Sequence, residues 1–88
     1  MSTLKTNLDA RAVDVTVSEH ELIVRLTDGR NLSVPLVWFP RLLHATPLQR
    51  SVWQLLGDGE GIHWPEIDED IRVEGLLLGI PARGASKR

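Results

Sequence analysis

The sequence predicts a single α+β domain: a small antiparallel β-meander, then a helix, a short strand and a second helix, with the helices packed on one face of the sheet. Three observations predict it. Apolar and polar residues alternate in the first half, an Asp-Gly pair separates two alternating runs, and a helix-capping sequence precedes a segment rich in Leu and Trp. We expect the domain to span residues 11–80, between a flexible N-terminus at 1–10 and a disordered tail at 81–88.

The strand predictions rest on period-two alternation of β-branched and other apolar residues. Valines alternate with polar residues at 12–17, and apolar residues alternate again at 21–27. Asp28-Gly29 follows directly and predicts a hairpin turn into a third strand at 30–35, because glycine accepts positive φ. A valine at Gly29 is expected to cost about 1 kcal/mol or more.

Two helices are predicted from capping residues and apolar spacing. Thr46, Pro47 and Gln49 form a capping box, and the first helix is expected to continue to Leu56, with an apolar stripe facing the sheet. A short strand is expected at 62–64 and a second helix at 71–80. Members of the first stripe are Leu48, Val52, Trp53, Leu55 and Leu56.

Composition excludes several classes of protein. The chain has no cysteine, so disulfides, thiolate metal sites and cysteine nucleophiles are excluded, and a reducing, cytoplasmic location is expected. No run approaches the roughly 18 apolar residues that span a bilayer, and no signal peptide is recognisable, so we expect no contact with membranes. Nothing in the sequence calls for a cofactor.

The charges are segregated along the chain. Residues 58–74 carry seven acids and a single base, Arg72, whereas residues 1–57 carry six bases and five acids. Binding of nucleic acid needs clustered Lys and Arg, so this distribution disfavours it for the isolated domain. A basic protein partner fits the acidic run better.

We find no catalytic constellation or metal-binding motif. His63 and the acids at 66–70 are ligand types, but their spacing matches no known site, so His63 is expected to be a half-exposed strand residue and the acids to cap the second helix. A partner-facing patch is a second hypothesis for these acids and for the aromatic segment at 38–41. The residues of that hypothesis are Trp38, Phe39, Arg41, Glu66, Asp68, Glu69 and Asp70.

Three segments together resemble the bacterial domain of unknown function 2442 family: the LTDGR hairpin, WFPRLLHATPLQRSVWQLLGDG and GIHWPEIDEDIRVEGLLLG. The resemblance implies a small sheet carrying helices, a companion protein (family 4160) often encoded nearby, and a toxin-antitoxin-like role. The family usually has Ser where this chain has Arg72, so the helix cap is expected from Asp70 or Glu69.

The leading hypothesis is therefore a non-enzymatic protein-interaction module, antitoxin-like or accessory in a bacterial two-gene system. A DNA-associated transcriptional regulator is the alternative, and an enzyme with an unrecognised site is a third. An open sheet with exposed edges also predicts a homodimer. The sequence leaves open whether a sheet edge or the Trp38 segment forms the dimer contact.

Overall fold

The computed structural model describes residues 10–82, and the expected flexible termini fall almost wholly outside this range. Strands β1 (Ala12–Val17), β2 (Glu21–Leu26) and β3 (Asn31–Pro35) form an antiparallel sheet in the order β1-β2-β3. The buried face of β2 carries Leu22 and Val24, both 0% exposed. The first three predicted strands are thus confirmed.

The predicted Asp-Gly hairpin is confirmed as well. The Gly29 N–H donates to the Leu26 carbonyl (3.0 Å), and Gly29 has φ +94°, in the region that favours glycine. Asp28 fixes the turn, because its carboxylate accepts from the Arg30 backbone N–H (3.0 Å) and from Arg30 Nε (2.8 Å). These bonds lower the pKa of Asp28 below its ordinary value.

A 3-10 turn (Leu36–Trp38) and two short helices, α1 (Pro40–Leu43) and α2 (Pro47–Ser51), follow the first sheet. The capping box is present: Thr46 accepts from the Gln49 N–H (3.1 Å), and the Gln49 side chain accepts from the Thr46 N–H (2.9 Å). No helix among residues 10–82 is long and apolar enough to cross a membrane.

The predicted continuation of α2 to residue 56 is wrong. Leu48, expected to face the sheet, is 70% exposed, and residues 54–56 form a strand instead. A continued helix would use the Arg50 carbonyl for the N–H of residue 54, but that carbonyl accepts the Trp64 indole N–H (3.0 Å). Tertiary contact has replaced the helical bond.

A second antiparallel sheet follows, with the strands β4 (Gln54–Leu56), β5 (Gly61–Trp64) and β6 (Glu69–Arg72) in that order. The expected strand at 62–64 lies within β5. Neither β4 nor β6 is predicted from the sequence, and β6 occupies the start of the expected second helix.

That second helix, α3, begins only at Val73 and ends at Leu77. The predicted cap from Asp70 or Glu69 is wrong: the N-cap residue is Arg72, and no side chain caps the helix. The reason is β-pairing: β6 places Glu69 opposite Trp64 and Asp70 opposite His63. Both acids are therefore held in the strand, ahead of the N-cap residue Arg72.

One core joins both sheets, α1 and α3, which confirms the α+β class and the packing of helices against the sheet. Among residues 10–82, fifteen hydrophobic residues are buried, including Leu42 of α1, Val73 and Leu76 of α3, and Leu22 and Val24 of β2. Trp64 is 0% exposed, and Trp53 packs half-buried against the core. Ala10 is buried too, and the Ala82 N–H donates to the Trp38 carbonyl (3.0 Å), so packing extends slightly beyond residues 11–80.

The two sheets meet at Gly59, in the turn between β4 and β5. The Gly59 carbonyl accepts from the Ala12 N–H (2.8 Å). Gly59 has φ +98°, and a Cβ there would lie 2.3 Å from the Ala12 carbonyl oxygen. Only glycine fits, so this residue serves both the turn between β4 and β5 and the contact between the sheets.

Candidate functional site

The acids at 66–70 span the connection between β5 and β6 and the first two residues of β6, a segment that we call the acidic turn (residues 65–70). The Ile67 N–H donates to the Trp64 carbonyl (3.4 Å), and the half-buried Ile67 side chain packs against the core. This anchor directs Glu66 and Asp68 into solvent. Asp68 has φ +54°, an uncommon backbone conformation that Asp and Asn tolerate better than other side chains.

Arg41 of α1 joins the acidic turn to the aromatic segment. Its Nη1 donates to the Asp68 carbonyl (2.6 Å) and lies 3.9 Å from Asp68 Oδ2. The two regions of the partner-patch hypothesis, 38–41 and 66–70, therefore meet in space. Trp38 is half-buried against the core, whereas Phe39 is 3% exposed and belongs to it.

The acidic turn is crowded with negative charge. Partial burial of Glu69 raises its pKa above the ordinary value, and the charges of Asp68 and Asp70 raise it further, while Arg41 acts in the opposite direction. The Arg41 guanidinium thus offsets part of the charge of Asp68 and Glu69, within a run of three consecutive carboxylates. An approaching cation would relieve this repulsion.

His63 contacts Asp70 across the β5–β6 ladder, Nδ1 to Oδ1. His63 is partly exposed and lies between buried Ile62 and Trp64 on the opposite face of β5, as its position in the strand predicts. The sequence analysis missed the pairing with Asp70, because it placed Asp70 at a helix start. If Trp64 and Glu69 are taken as the pair that closes a hairpin loop at 65–68, His63 falls opposite Asp70, and this count along the sequence would have found the pairing.

Arg11 makes a similar long-range contact with the acidic run. Its Nη1 lies 3.2 Å from Asp58 Oδ2, and its Nη2 lies 3.9 Å from Glu60 Oε2. Arg11, Arg41 and His63 therefore each lie against acids of the 58–74 run. In the acidic turn, the four carboxylates at 66–70 outnumber their two basic partners, Arg41 and His63.

Two cavities flank β1, each of about 230 Å³. One lies on the outer face of the first sheet, and the other lies between the free edge of β1 and α2. Neither of these two cavities is lined by His63 or Asp70. Within residues 10–82, no group of three or more His, Asp or Glu side chains is placed to hold a metal ion.

The model of the family "Protein of unknown function (DUF2442)" matches residues 12–82. The chain belongs to this family. The match confirms the resemblance inferred from the LTDGR, WFPRLL and GIHWPEIDEDI segments, and it covers both sheets and all three helices. No curated protein matches the chain.

Two solved structures are similar to this member of DUF2442. A crystal structure of a protein of unknown function from Rhodospirillum rubrum has 30% sequence identity and a TM-score of 0.73, covering 90% of this chain and 98% of that one. A solution structure of an uncharacterized protein from Chromobacterium violaceum, at 19% identity and a TM-score of 0.72, covers 93% of this chain and 83% of that one. The second supports the fold alone, and neither carries a described function.

Proposed function

We propose that this chain is a small, non-enzymatic protein-interaction module that presents its acidic turn to a basic protein partner. The observation that carries the proposal is the run of three consecutive carboxylates, Asp68, Glu69 and Asp70, beside which the guanidinium of Arg41 contacts Asp68. A lysine or arginine of a partner would offset the remaining charge, and the exposed position of Asp68 and Asp70 leaves both accessible.

The border of the acidic turn suits a protein contact. Arg41 is 60% exposed and uses one nitrogen on Asp68, which leaves further N–H donors of its guanidinium for a partner. Trp38, three residues before Arg41, contributes a half-buried aromatic ring, and Trp and Arg are residue types enriched at binding hot spots. Phe39 is excluded from this surface, since it is buried in the core.

The family resemblance extends the proposal to the partner's origin. It implies a companion protein encoded beside this chain, which we take as the basic partner, with this chain as the antitoxin-like or accessory component; the absence of cysteine favours the cytoplasm as the place where both work. A DNA-associated role has less support, because Arg11 and Arg41 lie against acids rather than forming a basic cluster.

The test is to co-express the tagged full chain with the protein encoded by the neighbouring gene and to measure their affinity. Glu66→Gln with Asp68→Asn removes two charges from the acidic turn, and Asn tolerates the positive φ of residue 68. We expect binding to weaken by at least about tenfold and its salt dependence to decrease.

The matched control is Asp14→Asn with Glu19→Gln, which removes the same two charges from exposed positions of the first sheet and its β1–β2 turn. This variant should bind within about twofold of the natural chain. Equal losses in both variants would mean that net charge alone governs binding, and no loss in the first would exclude the acidic turn.

A further inference from the structure

The free edge of β1 has unpaired backbone groups at two alternate residues. The Ser18 N–H donates to the Glu21 carbonyl (2.9 Å), so Thr16 and Asp14, at alternate positions along the ladder, also bond with β2. The N–H and C=O groups of the intervening Val15 and Val17 therefore point away from β2. Among residues 10–82, these groups meet no hydrogen-bonding partner.

The other edge of the same sheet also has outward backbone groups, at Asn31 and Ser33, but a proline ends the row. β3 ends in Pro35, which has no N–H, and the chain then turns so that the Leu36 N–H donates to the His20 carbonyl (2.9 Å). β1 lacks such a device beyond Ala12, where the Gly59 carbonyl covers a single N–H. Its exposed side chains include one charge, Asp14, and an apolar residue, Val13, that is 48% exposed.

A groove of about 230 Å³ runs beside this edge. It is lined by Val15, Thr16, Val17 of β1 and by Pro47, Arg50, Ser51 and Trp53. The neighbouring α2 exposes Leu48 at 70%. A strand laid along β1 would therefore both complete the backbone hydrogen bonds and cover apolar side chains.

We propose that a second copy of this chain occupies the edge, through antiparallel pairing of β1 with β1 about a two-fold axis at Thr16. In this register Val15 of each copy faces Val17 of the other, so that all four outward N–H groups and carbonyls pair in four hydrogen bonds. The result is a continuous six-stranded sheet.

Charge placement supports a second copy as the occupant. With Thr16 on the axis, Asp14 lies opposite Ser18 of the other copy, so no like charges meet across the new pair. Asp14 also keeps its cross-strand neighbour Arg25. On the opposite face, the facing Val15 and Val17 side chains lie toward the groove lined by Trp53.

Thr16 and Ser33 provide a matched test, because both side chains are exposed and both pair with Ile23, one from each edge of the sheet. Sedimentation of the full natural chain over about 1–500 µM should show a particle of twice 9.8 kDa. Thr16→Lys brings two ammonium groups together on the axis and should weaken the dimer by at least about tenfold. Ser33→Lys should leave the dimer constant within about twofold.

Cross-linking tests the register, and the absence of cysteine from the chain makes it clean. Thr16→Cys places two thiols at a pair whose Cα atoms lie about 4.5 Å apart, within disulfide reach, and should yield a covalent dimer on oxidation. Asp14→Cys and Ser33→Cys should not. Circular dichroism checks that each variant is folded.

A natural chain that stays at 9.8 kDa throughout the concentration range would overturn the proposal. Equal weakening by Thr16→Lys and Ser33→Lys would exclude the β1 edge, and cross-linking through Asp14→Cys in place of Thr16→Cys would exclude this register. None of these outcomes involves the acidic turn, so the proposed function is tested separately.

Discussion

The strands of the first sheet are six, six and five residues long, whereas those of the second are three, four and four. The first sheet has alternating side chains and a turn closed by its own Asp28 and Gly29. The second depends on contacts from outside it: the Trp64 indole bonds to Arg50, and Gly59 accepts from Ala12. The comparison teaches that local pairing supports the first sheet, while tertiary packing supports the second.

The largest expected effect comes from removing the anchor of the second sheet. Trp64→Ala deletes a fully buried ring and leaves the Arg50 carbonyl without its indole donor, which should lower the free energy of unfolding by about 3 to 5 kcal/mol. Chemical denaturation followed by circular dichroism measures this. Trp53→Ala, at a half-buried ring, is the control and should cost less. Equal costs would mean that Trp64 has no special role.

The next test compares two glycines that have nearly the same φ, Gly29 in the first sheet and Gly59 in the second. Gly59→Ala places Cβ 2.3 Å from the Ala12 carbonyl oxygen and should cost about 2 to 5 kcal/mol, through strain and overpacking together. Gly29→Ala, at φ +94° with no atom within 4 Å of the new Cβ, should cost about 1 to 2 kcal/mol from strain alone. Thermal melts of both variants decide the point. A larger loss at Gly29 would contradict the contact between the sheets.

Arg50 is the next test, since it holds the end of α1 from α2. Its Nε donates to the Leu42 carbonyl (3.0 Å), and its Nη2 donates to the Leu43 carbonyl (2.8 Å). Arg50→Met keeps the apolar stem but loses both bonds, with an expected cost of about 1.5 to 3 kcal/mol. Arg25→Met, at an exposed position of β2, should stay within about 0.5 kcal/mol of the natural chain in the same denaturation experiment.

The smallest effects are electrostatic and opposite in sign in the two hairpins. The pKa of Glu69 is raised, so its ionised form opposes folding above that pKa. Glu69→Gln should therefore raise Tm at pH 7, and this gain should disappear below pH 4.5, the ordinary pKa of the group. Asp28 has a lowered pKa, so its charge stabilises the fold above 3.8 and the contribution is lost as pH falls further; Asp28→Asn should lower Tm at pH 7. Melting curves from pH 3 to pH 7 would contradict the assignment if both variants shifted Tm in one direction.

Much of the candidate site could be identified from sequence, but not its arrangement. The acids at 66–70 and the residues Trp38 and Arg41 were singled out by composition. The contact of Arg41 with Asp68 joins residues 27 positions apart, and that of Arg11 with Asp58 joins residues 47 apart. Such contacts depend on how the chain folds back on itself, so one sequence contains no local pattern for them.

The sequence by itself determined the first sheet, the Asp28-Gly29 turn, the Thr46 capping box and the family, because each depends on residues close together in the chain. Only the tertiary structure decided that α2 ends at Ser51, that 54–56 and 69–72 are strands, and that Gly59 joins the sheets. The physical reason is competition for backbone groups. Short helical segments are marginal, so one long-range bond, such as that from the Trp64 indole to Arg50, and a partner strand decide the outcome.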